Sequence, residues 1–476
     1  MTRIALELLA ALLACSCITP QAGTRPPNIL FVFADDLGWK DVGFQGSELC
    51  ETPNLDRLRR ESVMFSQAYA AAGNCAPSRA CLLSGQYTPR HGVYAVGSTE
   101  RGNRQMMRTV PIRNRQDLPP EKVTLAEALR DAGYATGLFG KWHLGHADGT
   151  RPTDQGFDTY VDPRQPDPNK KRDEPADPKG IYSLTTAAIE FMREQGGSRR
   201  PFFAFVSHHA IHSTLEARPA SLARVRARHP ELSQRDATYA ACTYDLDCGV
   251  GLLLRFLDES GLADDTIVVF TSDNGGTGQI SQEPLRGAKG GYYEAGIREP
   301  MLVRWPGTTK AGATVDTPVC LVDMYPTLLA MAGAERPIDT PLDGEDLTPL
   351  LRGDGGLSRA AIFWHFPGYL NSPVPRGRDP VFRTRPVSVI RKGDFKLHLY
   401  HEEWSLDGGR EALATNRAVE LYDLRHDEGE RHDLAGEDPK RRDELLDDLL
   451  AWIAAIDAPV CKEPNPRFDA NVTGGR

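Results

Sequence analysis

Asn28-Ile-Leu-Phe-Val-Phe-Ala34 runs directly into Asp35-Asp36-Leu37-Gly38. A short apolar run without polar alternation reads as a strand buried on both faces, and here carboxylates sit where it ends. The plan recurs: Thr136-Gly-Leu-Phe139 precedes Gly140-Lys141-Trp142-His143, Phe202-Phe-Ala-Phe-Val206 precedes His208 to His212, and Thr266-Ile-Val-Val-Phe270 precedes Asp273-Asn274. Helical patterns lie between, including 124–132 and 239–260. Strands alternating with helices predict an α/β fold with a mostly parallel central sheet flanked by helices, and such sheets bind ligands at the carboxyl ends of their strands. After Gly353 the pattern changes to Pro/Arg-rich connections, a strand-like stretch 386–400 and a final helix 440–456. This reads as a smaller C-terminal α+β domain. The expected division is a leader over 1–25, the α/β domain over 26–355 and the C-terminal subdomain over 356–476.

The chain has 476 residues, 40% hydrophobic and 25% charged, which is a globular composition large enough for a sizeable core. Its net charge of −9 disfavours global attraction to polyanions and excludes nucleic acid as the expected partner. Arg3 followed by an apolar run to Ala14, broken only by Glu7, is too short to span a membrane and reads as a signal peptide. Leu12-Leu13-Ala14-Cys15 resembles a bacterial lipobox, so Cys15 is a candidate lipid anchor. The expected location is exported: periplasmic, secreted or anchored at the cell surface. Cys50, Cys75, Cys81, Cys242, Cys248, Cys320 and Cys461 beyond the leader are too sparse for a disulfide scaffold. Cys242 and Cys248 fall on different faces of one helix and read as small packing residues. Two aperiodic segments, 98–120 and 162–179, are candidate substrate loops. The first carries Arg101, Arg104, Arg108, Arg113 and Arg115, which serve equally well as a solvated surface or as a contact for an anionic polymer.

Asn74-Cys75-Ala76-Pro77-Ser78-Arg79-Ala80-Cys81-Leu82-Leu83-Ser84-Gly85 carries the chemistry. Pro77 suits a helix's first turn, which places Cys75 at a positive helix N-terminus with Arg79 one turn on. Such a site stabilises a thiolate, although a lone cysteine there is equally a simple cap. The whole string, Cys-x-Pro-Ser-Arg with Leu-x-Ser-Gly after it, resembles the signature of the type I, formylglycine-dependent, arylsulfatase-like sulfatases. The resemblance extends through Asp35-Asp36-Leu-Gly-Trp39, Gly140-Lys-Trp-His-Leu-Gly145, Thr271-Ser-Asp-Asn-Gly275 and Leu285-Arg-Gly-Ala-Lys289, and more weakly to Glu420-Leu-Tyr-Asp-Leu424. It implies an alkaline-phosphatase-like fold and a hydrolase of sulfate esters.

In that family the cysteine becomes formylglycine (3-oxoalanine) through a formylglycine-generating enzyme. One oxygen of the hydrated aldehyde attacks sulfur, and the other expels sulfate. Asp35, Asp36, Asp273 and Asn274 are oxygen donors at the ends of separate strands, a set that suits a hard cation better than zinc. The resemblance agrees on one Ca²⁺, which would also hold the residue made from Cys75. Helix capping is the other reading of either pair alone. The resemblance further implies sulfate binding by Lys141 and Lys289, a base role for His143 in collapse of the hemiacetal sulfate, and a formylglycine-holding role for Arg79. His212 fits the general acid for the leaving alcohol, with His208 and His209 competing and Ile211 standing where the family often has Pro. The expected substrate is a sulfated carbohydrate. Rival readings are a phosphonate or phosphate monoesterase, a sulfamidase, and an inactive homologue that binds sulfated glycans; a two-zinc phosphatase lacks its ligands here.

Overall fold

A computed structural model describes residues 25–163 and 175–472. The leader with Cys15 and most of the middle of the 162–179 loop lie outside the described residues. The larger sheet takes β1 (Asn28–Ala34), β2 (Val63–Tyr69), β3 (Ala135–Gly140), β4 (Thr159–Val161), β5 (Phe202–Ser207), β6 (Thr266–Ser272), β7 (Arg298–Arg304), β8 (Thr314–Val315) and β9 (Val319–Cys320). Its order is β4-β3-β5-β1-β6-β7-β2-β8, with β9 also on β2. Among these strands β7 alone runs against the rest, antiparallel to both β6 and β2. The carboxyl ends of β3, β5, β1 and β6 therefore open on one edge, and β2 delivers the chain to that edge as well.

The strand period explains the unbroken apolar runs. Ile29, Phe31 and Phe33 of β1 join Phe203, Phe205, Ile267 and Val269 in one core cluster. Leu30, Val32 and Ala34 join Phe202, Ala204, Val206, Val268 and Phe270 in a second. Successive side chains leave the sheet on opposite faces, and helices cover both faces, so no polar face is needed. Each fully buried Leu or Phe here contributes about 1.5–3 kcal/mol relative to exposure.

β10 (Ala361–Phe366), β11 (Leu370–Asn371), β12 (Phe382–Thr384), β13 (Val387–Lys392), β14 (Phe395–Tyr400) and β15 (Val419–Asp423) follow. Strands β10-β13-β14-β15 form an antiparallel sheet, the core of the smaller C-terminal domain. Helix Pro439–Ala455 places Leu445, Leu446 and Leu449 in a cluster with Ile390, Leu397, Leu399 and Leu421, and Trp452 stacks on Phe363 with centroids 4.6 Å apart. The two sheets are joined by buried charge. Lys396 Nζ of β14 lies 2.9 Å from Glu294 Oε1 and 3.0 Å from Glu430 Oε1, and Tyr69 Oη of β2 donates to Glu294 Oε2 at 2.7 Å.

Three elements differ from the sequence reading. The stretch 386–400 is a hairpin, because Gly393 at φ +60° turns the chain between Lys392 and Phe395. The long helix begins at Gln234, capped by Ser233 Oγ accepting from Asp236 N, since its first turns are polar and carry no apolar period. The shorter helix is Leu125–Asp131, closed by a Thr124–Glu127 capping box.

Candidate active site

Strand register gathers the oxygen donors. β1 and β6 pair in parallel with Ala34 opposite Ser272, so Asp35-Asp36 and Asp273-Asn274 emerge side by side. Asp36 N–H donates to Asp273 Oδ1 at 3.2 Å, and Asn274 Nδ2 donates to Asp36 Oδ1 at 2.9 Å. Asp36 adopts φ +68° and His143 φ +67°, uncommon for residues with a Cβ and a local strain typical of functional sites.

Helix Cys75–Ser84 starts at Cys75 with Asn74 as its extended N-cap, and its side chains are buried throughout. Ligand atoms of Cys75, Asp35 and Asp273 all lie within 4.8 Å of one another. Arg79, one turn on, is 1% exposed. Its Nε and Nη2 meet Asp273 Oδ2 at 2.9 and 2.8 Å, while Nη1 donates to Ser207 Oγ at 2.5 Å and to Lys141 O at 3.0 Å. That guanidinium ties three strand ends, those of β3, β5 and β6, to the helix that carries Cys75.

Gly140 ends β3 at φ +108°, where a Cβ would lie 2.0 Å from Ser207 O. Only glycine permits the turn by which Lys141 N–H donates to that carbonyl at 2.8 Å. Lys141 Nζ then reaches Asp35 Oδ2 at 2.6 Å, and Lys289 Nζ reaches Asp36 at 2.6 and 2.7 Å. Three buried carboxylates, Asp35, Asp36 and Asp273, thus face three cations, Arg79, Lys141 and Lys289.

These charges set the protonation states. Burial opposes ionisation of Asp35 and Asp36, but the cations around them, Lys141 for the first and Lys289 for the second, hold both below the usual carboxylate range. For Asp273, burial and the Asp35 charge prevail over Arg79 and raise it. Burial, with Lys141 and Arg79 nearby, keeps His143 neutral, well below the ordinary imidazole range. Asp35 Oδ1 and Asn274 Oδ1 are buried without a hydrogen-bond partner. Orphaned oxygens beside three carboxylates are what a hard divalent cation satisfies, so Asp35, Asp36, Asp273 and Asn274, with the side chain at position 75, fit Ca²⁺.

A cleft of about 520 Å³ opens over this layer, lined by Asp35, Asp36, Cys75, Lys141, His143 and Lys289, with His209 and His212 on one wall. Arg79, Asp273 and Asn274 lie beneath it, fully buried. The three candidate acids separate. His208 is buried, with neither ring nitrogen partnered, and burial pushes it down to about 3, which is the state of a neutral core histidine. His209 Nε2 lies 3.1 Å from both oxygens of Asp162, and His212 Nε2 lies 3.9 Å from Asp36 Oδ2.

The arginine run does not act as a unit. Arg104 pairs with Glu100 at 2.8 Å and Arg108 with Asp407 at 2.7 Å, so of that run Arg101 alone lines the cleft. Arg235 and Arg383 also line it, and neither was read from the sequence. They sit in segments without a motif, and only the turn of β12 back toward Lys289 brings Arg383 there.

Comparison with known proteins identifies the family. The sulfatase family profile matches residues 27–334, and the profile described as N-sulphoglucosamine sulphohydrolase, C-terminal, matches residues 288–455. A sulfatase of Formosa agariphila is 30% identical, the alignment covering 97% of this chain and 96% of that protein. Human arylsulfatase A is 33% identical over 87% of this chain and 84% of its own length. A solved structure of Ps i-CgsB in complex with k-i-k-neocarrahexaose superposes with a TM-score of 0.72 at 26% identity, covering 93% of this chain and 95% of that one. With the alkaline-phosphatase-like sheet and the ordered motifs around Cys75, these matches place the chain in the sulfatase family, hydrolases of sulfate esters.

Proposed function

We propose that this chain releases inorganic sulfate from sulfated carbohydrates, using formylglycine made from Cys75 as nucleophile and one Ca²⁺ held by Asp35, Asp36, Asp273, Asn274 and residue 75. One observation carries the reading: Cys75 at a helix N-terminus lies within 4.8 Å of Asp35 and Asp273, beside the orphaned oxygens of Asp35 and Asn274. The carbohydrate assignment rests on the structural neighbour solved with a neocarrahexaose. When bound, the cation would supply charge for a sulfate oxygen, and the hydrated aldehyde one hydroxyl to attack sulfur and a second whose collapse to the aldehyde would expel sulfate from the first oxygen.

The chain's own residues do the rest. Lys141 and Lys289 are fixed ammonium groups at the cleft floor, suited to the sulfuryl oxygens as charge shifts onto them. Arg79 orients residue 75 through Asp273 and the carbonyl of Lys141. His143, neutral, accepts the proton of the second hydroxyl. His212 donates a proton to the leaving alcohol. His209 is the second candidate because its contact with Asp162 orients it at the same wall. A series of substrates with leaving alcohols of rising pKa separates them: loss of the true acid costs most with the poorest leaving group, and loss of the other costs all alike.

The leader and Cys15 support an exported protein, lipid-anchored or secreted and matured by a formylglycine-generating enzyme. Among the described residues no helix is long and apolar enough to cross a membrane. The match of residues 288–455 to the sulphohydrolase C-terminal profile favours nitrogen-linked sulfate as a second substrate class. The test is sulfate release by protein co-expressed with the generating enzyme, from matched O-sulfated, N-sulfated and phosphorylated sugars. Faster turnover of the phosphate ester than of either sulfate would contradict the proposal.

A further inference from the structure

Cations outnumber acids in this cleft, in a protein of net charge −9. Its two lining carboxylates, Asp35 and Asp36, are already matched by Lys141 and Lys289. Lys179 also lines the cleft and donates to the carbonyls of His212 and Thr214, which leaves Arg101, Arg235 and Arg383, and among the described residues none of these three has a carboxylate within ion-pair distance. Their chain neighbours behave differently. Arg378 meets Glu403 at 3.0 Å, Arg385 meets Glu402 at 2.7 Å, and Arg104 meets Glu100 at 2.8 Å.

Arg383 is the most telling. It is half-buried, a position in which a guanidinium without a counter-ion is costly. Backbone carbonyls hold it: Nε donates to Ser372 O at 3.2 Å and Nη1 to Lys289 O at 3.1 Å. The second contact fixes the guanidinium beside the lysine of the proposed sulfate site. Arg101 stands close enough that its charge, after burial, is the chief influence depressing the Arg383 pKa. Both line one cleft, and their chain neighbours pack together, a Cβ on Gly102 lying 2.8 Å from the Phe382 ring; two like charges so placed, one anchored by carbonyls and neither in an ion pair, form an anion receptor. Because Arg383 comes from β12 and Arg101 from the 98–120 loop, the receptor exists only where the C-terminal domain meets that loop.

We propose that Arg383 and Arg101 form a second anion subsite, so that the preferred substrate carries another sulfate or a carboxylate near the scissile sulfate, on the same or the adjoining sugar. Arg235, on the helix Gln234–Glu259, adds charge from another element of the cleft. This inference rests on the carbohydrate reading above but not on formylglycine chemistry, and the test keeps the two apart.

The experiment uses full-length protein carrying Cys75→Ala, so that nothing is turned over, and measures binding by calorimetry. The probes are a dextran sulfate oligosaccharide, which can fill both subsites, and inorganic sulfate, which fills only the floor. Adding R101Q and R383Q is expected to weaken the oligosaccharide about 10- to 100-fold, in line with loss of charged hydrogen bonds, and to flatten its salt dependence. Inorganic sulfate binding is expected to change less than about threefold, since the floor cations are untouched. Unchanged oligosaccharide affinity would overturn the inference. So would a parallel loss for both probes, or an unvaried cleft that does not bind dextran sulfate. Absence of formylglycine or of sulfate release from unmutated protein would instead count against the catalytic proposal and leave these binding results standing.

Discussion

Replacing Lys396 by Met removes the ammonium that joins the two sheets and leaves Glu294 and Glu430 facing each other without it, all three side chains being fully buried. Around them stand Arg298, Arg391, Tyr69 and His398. Burial alone would raise Glu294, but Lys396, Arg298 and Arg391 hold it below the normal range. Burial and Glu294 raise Glu430 despite Lys396. Breaking one partner out of a buried ionic group costs about 3–5 kcal/mol, and Met fills most of the vacated volume, so little of the loss is a cavity term. The sign with pH follows from linkage. Without Lys396 both folded-state carboxyl pKa values rise. The penalty is absent below the unfolded value of about 4.3 and grows as pH rises above it. Urea unfolding followed by tryptophan fluorescence should show the full deficit near pH 7.5 and a clearly smaller one near pH 5. Adding Glu430→Gln should recover part of the loss. A deficit below about 1 kcal/mol, or one larger at the lower pH, would refute the reasoning.

Cys75→Ala is expected to unfold at nearly the native temperature while sulfate release falls by more than about 10³-fold, read by ion chromatography. Gly140→Ala forces a Cβ to within 2.0 Å of Ser207 O at φ +108°, so thermal unfolding should show a loss of about 1–3 kcal/mol, with activity falling because Lys141 and His143 follow directly. Calcium should stabilise the native protein by about 2.7 kcal/mol at a hundredfold excess over Kd and so raise its unfolding temperature, and Asp35→Asn should abolish most of that shift in scanning calorimetry.

The parallel sheet was legible because β1, β5 and β6 are buried on both faces, and that burial leaves unbroken apolar runs in the chain. The Asp, Lys and His clusters followed because such sheets place function at strand ends. The hairpin at Gly393 carried a readable Lys-Gly-Asp-Phe turn signal that the neighbouring apolar residues masked. The polar opening of the helix at Gln234 has no apolar period, and its cap is a Ser233 contact that only the folded backbone reveals. Arg383 and Arg235 were not legible, since their place in the cleft depends on how distant elements dock. Of the arginine-rich loop, acidic partners remote in sequence, such as Asp407 for Arg108, decide which side chains remain available.

The central claim is that position 75 carries an aldehyde-derived nucleophile. Peptide mass spectrometry across residues 74–79, on active protein made with a formylglycine-generating enzyme, tests it most directly. The account predicts a peptide lighter than the encoded one by the difference between a thiol-bearing CH₂SH and an aldehyde CHO, reactive toward a hydrazide, in proportion to sulfate release. Unmodified Cys75 in protein that still releases sulfate would contradict it.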